Sequence, residues 1–332
     1  MARALELIVA TGTSVAIGIG AARYAQPTPA ADFAERPGAA YLSRHFLHDA
    51  VTAPPADIGA QARALGLGAL YPFAGAVDAT GALVLPDEGR AVHGGQVEAF
   101  AAGVRAAGVA ARPWVAIVEG ARFDARDAAA RAAAATTIAA LATPSTDGVH
   151  VQLPAGDPAG ALLLLGDVRA RLPAGKQLSV ATPPPPAPLA AAGEDAWSPA
   201  QLGAVCELAD HLVVHTEDRG LAAPLYAATL VGWTELLAAT LPAPDAGGCT
   251  WSFVVPAEDT AHPWHDPSVE NPAFVLPVLK HAFGARALPA GAAGPTVQGA
   301  WLMAGNEWAA WERDWLDREP GAARIAEPMP GG

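Results

Sequence analysis

From residue 41 onward, short apolar runs alternate with longer stretches in which apolar residues recur every three or four positions. The short runs, bounded by Gly, Pro or Asp, predict strands over 41–46 (YLSRHF), 69–73 (ALYPF), 112–120 (RPWVAIVEG), 148–153 (GVHVQL), 177–182 (QLSVAT), 211–216 (HLVVHT), 249–255 (CTWSFVV) and 296–303 (TVQGAWLM). The longer stretches predict helices over 56–66, 93–108, 125–142, 158–171, 198–209, 220–240, 272–284 and 306–316. Local punctuation agrees. Asp124 stands where it would cap the third helix, and Ser198 followed by Pro199 is a strong opening for the fifth. The four prolines at 183–186 cannot extend a hydrogen-bonded ladder and so end the fifth strand. Residues 75–89 (GAVDATGALVLPDEG) read as a hairpin inserted after the second strand, with Asp78, Thr80 and Gly81 at its turn.

Strands that alternate with helices require a parallel sheet with crossover helices. Eight such pairs point to an α/β fold, a (β/α)8 TIM barrel in a single domain spanning 41–317, carrying the hairpin insertion after strand 2. The alternative, a doubly wound open sheet, usually has fewer strands and a Gly-rich phosphate loop; no GxGxxG follows the first strand and no P-loop occurs. Residues 26–40 form a Pro/Ala-rich connector and 318–332 a tail. Residues 7–22 are uncharged and fit a signal-peptide core better than a membrane span, although Glu6 is out of place in such a leader. For 1–25, a signal or membrane anchor and an N-terminal extension of the fold both stand, so secreted, anchored and cytoplasmic locations remain open.

The composition narrows the function. With 52% hydrophobic and 16% charged residues, the 332-residue chain has material for a large core. Its formal net charge of -13, with 20 basic against 33 acidic residues and no basic stripe, argues against a nucleic-acid partner. Cys206 and Cys249 have no zinc-ligand spacing; one falls in a helical pattern and the other opens an apolar run, so two buried free thiols are expected, with a disulfide as the alternative. His45/His48 and His262/His265 are each three apart, which on a strand puts the rings on opposite faces, and neither a metal nor a cofactor is expected. No GxSxG elbow supports a serine nucleophile.

A barrel carries its chemistry at the C-terminal ends of its strands. Those ends offer Tyr71, Glu119, Gln152, His215, Glu217, Asp218 and Trp301, and the loop after strand 7 offers Glu258 and Trp264. Carboxylates and indoles on one face suit a carbohydrate, whose C–H faces stack on indole while acids hold its hydroxyls. Trp114, Trp233 and Trp251 lie inside apolar patterns and are expected in the core, as are Trp308, Trp311 and Trp315 at helical spacing.

Residues 147–154, DGVHVQLP, resemble the DGxDxDxE strand of glycoside hydrolase family 18, the chitinase-like barrels. Asp147 and Gly148 match; His150 and Gln152 stand at the two aspartates and Pro154 at the glutamate. LADHLVVHTEDRG is similar to the family's sixth strand, with Asp210 and Asp218 at its two acids and Glu217 in place of its tyrosine. GAWLMAGNEW is similar to the eighth, with Trp301 as the floor of the sugar site. Of the third-strand SxGG motif only Gly120 remains. The resemblance implies a TIM barrel with a glycan ligand. It also implies that the family's substrate-assisted hydrolysis is lost, because the glutamate protonates the glycosidic oxygen and the aspartate orients the N-acetyl group. Losing a general acid costs on the order of 10²–10⁴ in rate. A glycan-binding pseudo-enzyme is therefore the leading expectation. The alternatives are a hydrolase with relocated carboxylates, Glu119 and Glu217, with Tyr71, Asp218, Trp264, Trp301 and His215 binding substrate, and a structural subunit of an assembly. The oligomeric state is left open.

Overall fold

The computed structural model describes residues 36–48, 53–85, 90–91, 94–117, 123–186, 196–216, 220–257, 266–284, 291–298, 305–316, 321 and 325. Eight parallel strands form a ring: β1 (Gly38–Leu42), β2 (Leu67–Val77), β3 (Trp114–Ala116), β4 (Gly148–Gln152), β5 (Gln177–Thr182), β6 (His211–Val214), β7 (Thr250–Pro256) and β8 (Thr296–Gln298). Each pairs with its neighbour in sequence. β1 closes the ring by pairing with β8 on one side (Ala39 with Thr296) and β2 on the other (Tyr41 with Tyr71). Helices α1 (Pro55–Ala64), α2 (Gly94–Ala106), α3 (Ala128–Ala139), α4 (Pro158–Arg171), α5 (Pro199–Leu208), α6 (Ala223–Thr240), α7 (Pro272–Gly284) and α8 (Gly305–Ala310) follow the strands in turn. This is the (β/α)8 barrel that the alternation predicted.

Strand alternation divides the core in two. Val149, Val151, Val180 and Leu212 point outward, fully buried against the helices, in one large apolar shell. A smaller cluster fills the barrel itself, with Tyr41, Tyr71, Ala181, Val213 and Val254 buried and Trp114 packed against them. Trp233 and Trp251 are in the outer shell, as expected, whereas Trp114 points into the barrel. Trp308 and Trp311 are buried on the last helical segment, and Trp311 Nε1 donates to the Leu65 carbonyl at 2.8 Å.

Several boundaries follow from named bonds. Ser198 and Gln201 form a reciprocal capping box and Pro199 takes the first turn, so α5 begins where its sequence signal lies. The hairpin turn is tied by Asp78, which accepts from Thr80 N, Thr80 Oγ1 and Ala82 N. Its return strand, Leu83–Leu85, runs antiparallel to the end of β2.

Four expectations are corrected. The first strand is Gly38–Leu42 rather than 41–46; Ser43 and Arg44 end it, and His45 and His48 lie on a one-turn helix (His45–His48), with His48 Nε2 3.1 Å from the Ala74 carbonyl. The cap of α3 is Asp127, which accepts from Ala129 N and Ala130 N, while Asp124 turns the chain by accepting from Arg126 N. The cysteines are not free: Cys206 on α5 and Cys249 just before β7 form a disulfide, with Cα atoms 4.9 Å apart. Crossover packing brings together two residues 43 apart in sequence, which no local pattern could reveal. The fourth correction concerns Tyr71, described below.

Candidate functional site

The fourth strand divides into a structural half and a chemical half. Asp147 Oδ2 accepts the Ala111 N–H at 3.0 Å, while its own N–H bonds to the Ala111 carbonyl. The acid therefore stitches the run before β3 to β4. Gly148 follows with φ +153°, and a Cβ there would sit 1.9 Å from the Gln177 carbonyl oxygen, so only glycine fits between β4 and β5. Asp210, which opens β6 two strands further on, repeats the device. Its Oδ2 accepts Leu178 N at 2.8 Å, and Arg169 clamps the same carboxylate with two nitrogens at 2.8 and 3.3 Å.

Beyond Gly148 the strand's period of two sends His150 and Gln152 into the barrel. His150 is fully buried at its centre. Its Nε2 lies 2.8 Å from Tyr41 Oη and its Nδ1 lies 2.8 Å from Ser179 Oγ, and Tyr71 stacks on the ring at 4.2 Å with an 11° tilt. Burial pushes its pKa well below the ordinary 6.5, and the charges of His211, His215 and Arg112 add to the effect. A neutral imidazole with both nitrogens engaged has no acid proton to deliver at neutral pH. Pro154 follows the strand and has no side-chain proton at all.

A second polar chain runs beside the first. His211 Nδ1 is 2.8 Å from Thr250 Oγ1 and its Nε2 is 3.1 Å from Ser252 Oγ, which in turn lies 3.1 Å from Thr296 Oγ1. Desolvation, then the Arg112 charge, lower the His211 pKa to about 3. Arg112 closes the N-terminal mouth of the barrel by donating to Gln177 Oε1 and, at 3.4 Å, to Tyr71 Oη. Toward the other mouth, Gln298 follows Thr296 by two and faces the interior, and its Oε1 has no partner among the described residues; nor has Trp114 Nε1.

Of the sequence-derived site residues, the barrel gathers Tyr71, His150, Gln152 and His215 into or onto its interior. His215 directly follows β6, with its ring 6.3 Å from that of Tyr41. Tyr71 is not at a strand end: β2 continues to Val77, which leaves Tyr71 at mid-barrel and 1% exposed. Glu119, Glu217, Asp218, Glu258, Trp264 and Trp301 lie outside the described residues. Tyr41, Ser179, His211 and Arg112 were not singled out from the sequence. For Tyr41, Ser179 and His211 the signal was available, since each belongs to the inward-facing register of its strand, but that register shows only once strand starts are fixed; Arg112 precedes β3 and carried no such signal.

No family model and no curated protein sequence matches the chain. Solved structures do. The spore cortex-lytic enzyme SleL of Bacillus cereus superposes with a TM-score of 0.57 at 13% identity, over 84% of this chain and 74% of that one. SleL of Bacillus megaterium gives 0.55 at 12%, with the same coverage. A putative chitinase A from Streptomyces coelicolor gives 0.53 at 16%, over 86% of this chain and 98% of its own. The chain has the fold of the chitinase-like barrels. At these identities the likeness is one of fold. It agrees with the fold that the resemblance read from DGVHVQLP implied.

Proposed function

We propose that the protein is a glycan-binding chitinase-like barrel without the family-type hydrolytic step. The observation that carries this reading is the division within the fourth strand. Asp147 and Gly148, which hold β4 to its neighbours, are kept, whereas the three acid positions beyond them are His150, Gln152 and Pro154. His150 is neutral and doubly bonded, and proline cannot protonate a glycosidic oxygen. Trp114 Nε1 and Gln298 Oε1, without partners among the described residues, leave a donor and an acceptor facing the interior, as a sugar hydroxyl requires. The expected ligands are chitin or peptidoglycan fragments.

Calorimetry with such fragments, with mass spectrometry of the same samples, tests the reading. Saturable binding with intact ligand is the expected result. Cleavage that Glu119→Gln or Glu217→Gln abolishes would replace it with a hydrolase whose carboxylates have moved to other strand ends. Absence of both binding and cleavage would favour a structural role in an assembly.

A further inference from the structure

The N-terminal mouth of the barrel, opposite the strand ends considered above, holds a cavity of about 470 Å³. Its walls come from the segments that lead into β3, β4 and β5, among them Arg105, Arg112, Thr146, Asp147, Lys176 and Gln177. In these walls two guanidiniums and one ammonium meet one carboxylate, with the Glu98 carboxylate, bonded to Ser145, close enough to act on Lys176, in a chain with formal net charge -13. Four other arginines find acids: Arg126 with Asp157, Arg131 and Arg171 with Asp167, and Arg169 with Asp210. Among the described residues, no carboxylate lies within ion-pair distance of Arg105, Arg112 or Lys176.

The donors at this mouth differ in what they have left to give. Lys176 spends its ammonium on the carbonyls of Thr143, Pro144 and Thr146, so it holds the loop and contributes only charge. Asp147 is committed to Ala111 N. Arg105 makes one bond, from Nη1 to the Pro144 carbonyl at 3.2 Å. Arg112 bonds Gln177 and Tyr71 through its Nη atoms, while its buried Nε has no partner among the described residues. That Nε is closed off from the cavity, so the donors a ligand could use are the remaining N–H groups on the Nη atoms of Arg112 and Arg105. Guanidiniums with spare donors match the paired oxygens of phosphate and carboxylate groups, and the cavity is of a size that small ligands fill.

We propose that this mouth is a binding site for a small oxyanion, a molecule bearing a phosphate or carboxylate group, with Arg112 and Arg105 as its donors and Lys176 supplying positive charge. The site is separate from the proposed glycan face, so neither reading depends on the other. The test is a titration of the full chain with inorganic phosphate and, separately, malonate at low ionic strength. It is followed by calorimetry and by the Arg Nε–H signals in NMR. Saturable binding that shifts the Arg112 Nε–H, and that weakens at least about tenfold in Arg112→Gln and in Arg105→Gln, is expected. Tighter phosphate binding assigns a phosphate-bearing ligand, and tighter malonate binding a carboxylate. Arg105→Gln removes only one bond to a carbonyl, so it keeps the test valid if Arg112→Gln fails to fold. No saturable binding of either anion, or binding that both variants leave unchanged, would overturn the proposal.

Discussion

Acidification from pH 7 to pH 5 should weaken this barrel through its interior histidines. The His211 pKa is lowered from 6.5 to about 3, so between these values the unfolded chain binds a proton that the fold refuses. The sign follows directly: the stability is whole above about pH 6.5 and is lost as pH falls toward 3. At pH 5 the gap from the unfolded value is about 1.5 units, which at about 1.36 kcal/mol per unit gives a loss of about 2 kcal/mol. The partial exposure of His211 makes that an upper figure. The fully buried His150, lowered well below 6.5 chiefly by desolvation, adds a loss of the same sign. Asp78 and Asp157 have lowered pKa values and contribute only below the ordinary carboxylate range, so the window between pH 5 and 7 isolates the imidazoles. The assay is urea unfolding followed by tryptophan fluorescence at both pH values and fixed ionic strength, for the wild type and for His211→Asn. The variant should be less stable at pH 7 yet lose about 2 kcal/mol less on acidification. If wild type and variant lose the same amount, the histidine account is wrong.

Other consequences are equally direct. Gly148→Ala places a methyl 1.9 Å from the Gln177 carbonyl oxygen at a φ that L-residues avoid, so a loss of about 3 kcal/mol or more is expected in chemical denaturation. A loss below about 1 kcal/mol would mean that β4 and β5 can part there without cost. The Cys206–Cys249 bridge closes a loop of 43 residues, for which chain entropy gives about 4 kcal/mol. Alkylation without reductant should leave both cysteines unlabelled by mass, and Cys249→Ser should lower the thermal midpoint by several degrees; two labelled thiols in the native protein would rule the bridge out.

The fold was legible because its signals are periodic and local. The fourth helix at 158–171 and the fifth strand at 177–182 fall where the pattern placed them, since each is closed by a proline or a turn. The interior was less legible. Tyr71 read as strand-end chemistry until the length of β2 put it at mid-barrel, where the register of β4 sets His150 against it. The bridge between Cys206 and Cys249, and the convergence of Arg105, Arg112 and Lys176 on one mouth, depend on contacts between separate crossover units. Sequence spacing carries no trace of such contacts.

The Asp147–Gly148 opening has a consequence for how proteins of this shape are found. A carboxylate that accepts a neighbouring segment's N–H, followed by a glycine that no methyl can replace, ties β4 to the elements on both sides of it whatever the cylinder does. A search keyed to the strand-opening acids, Asp147 and Asp210 here, would follow the architecture itself and be blind to what its strand ends carry.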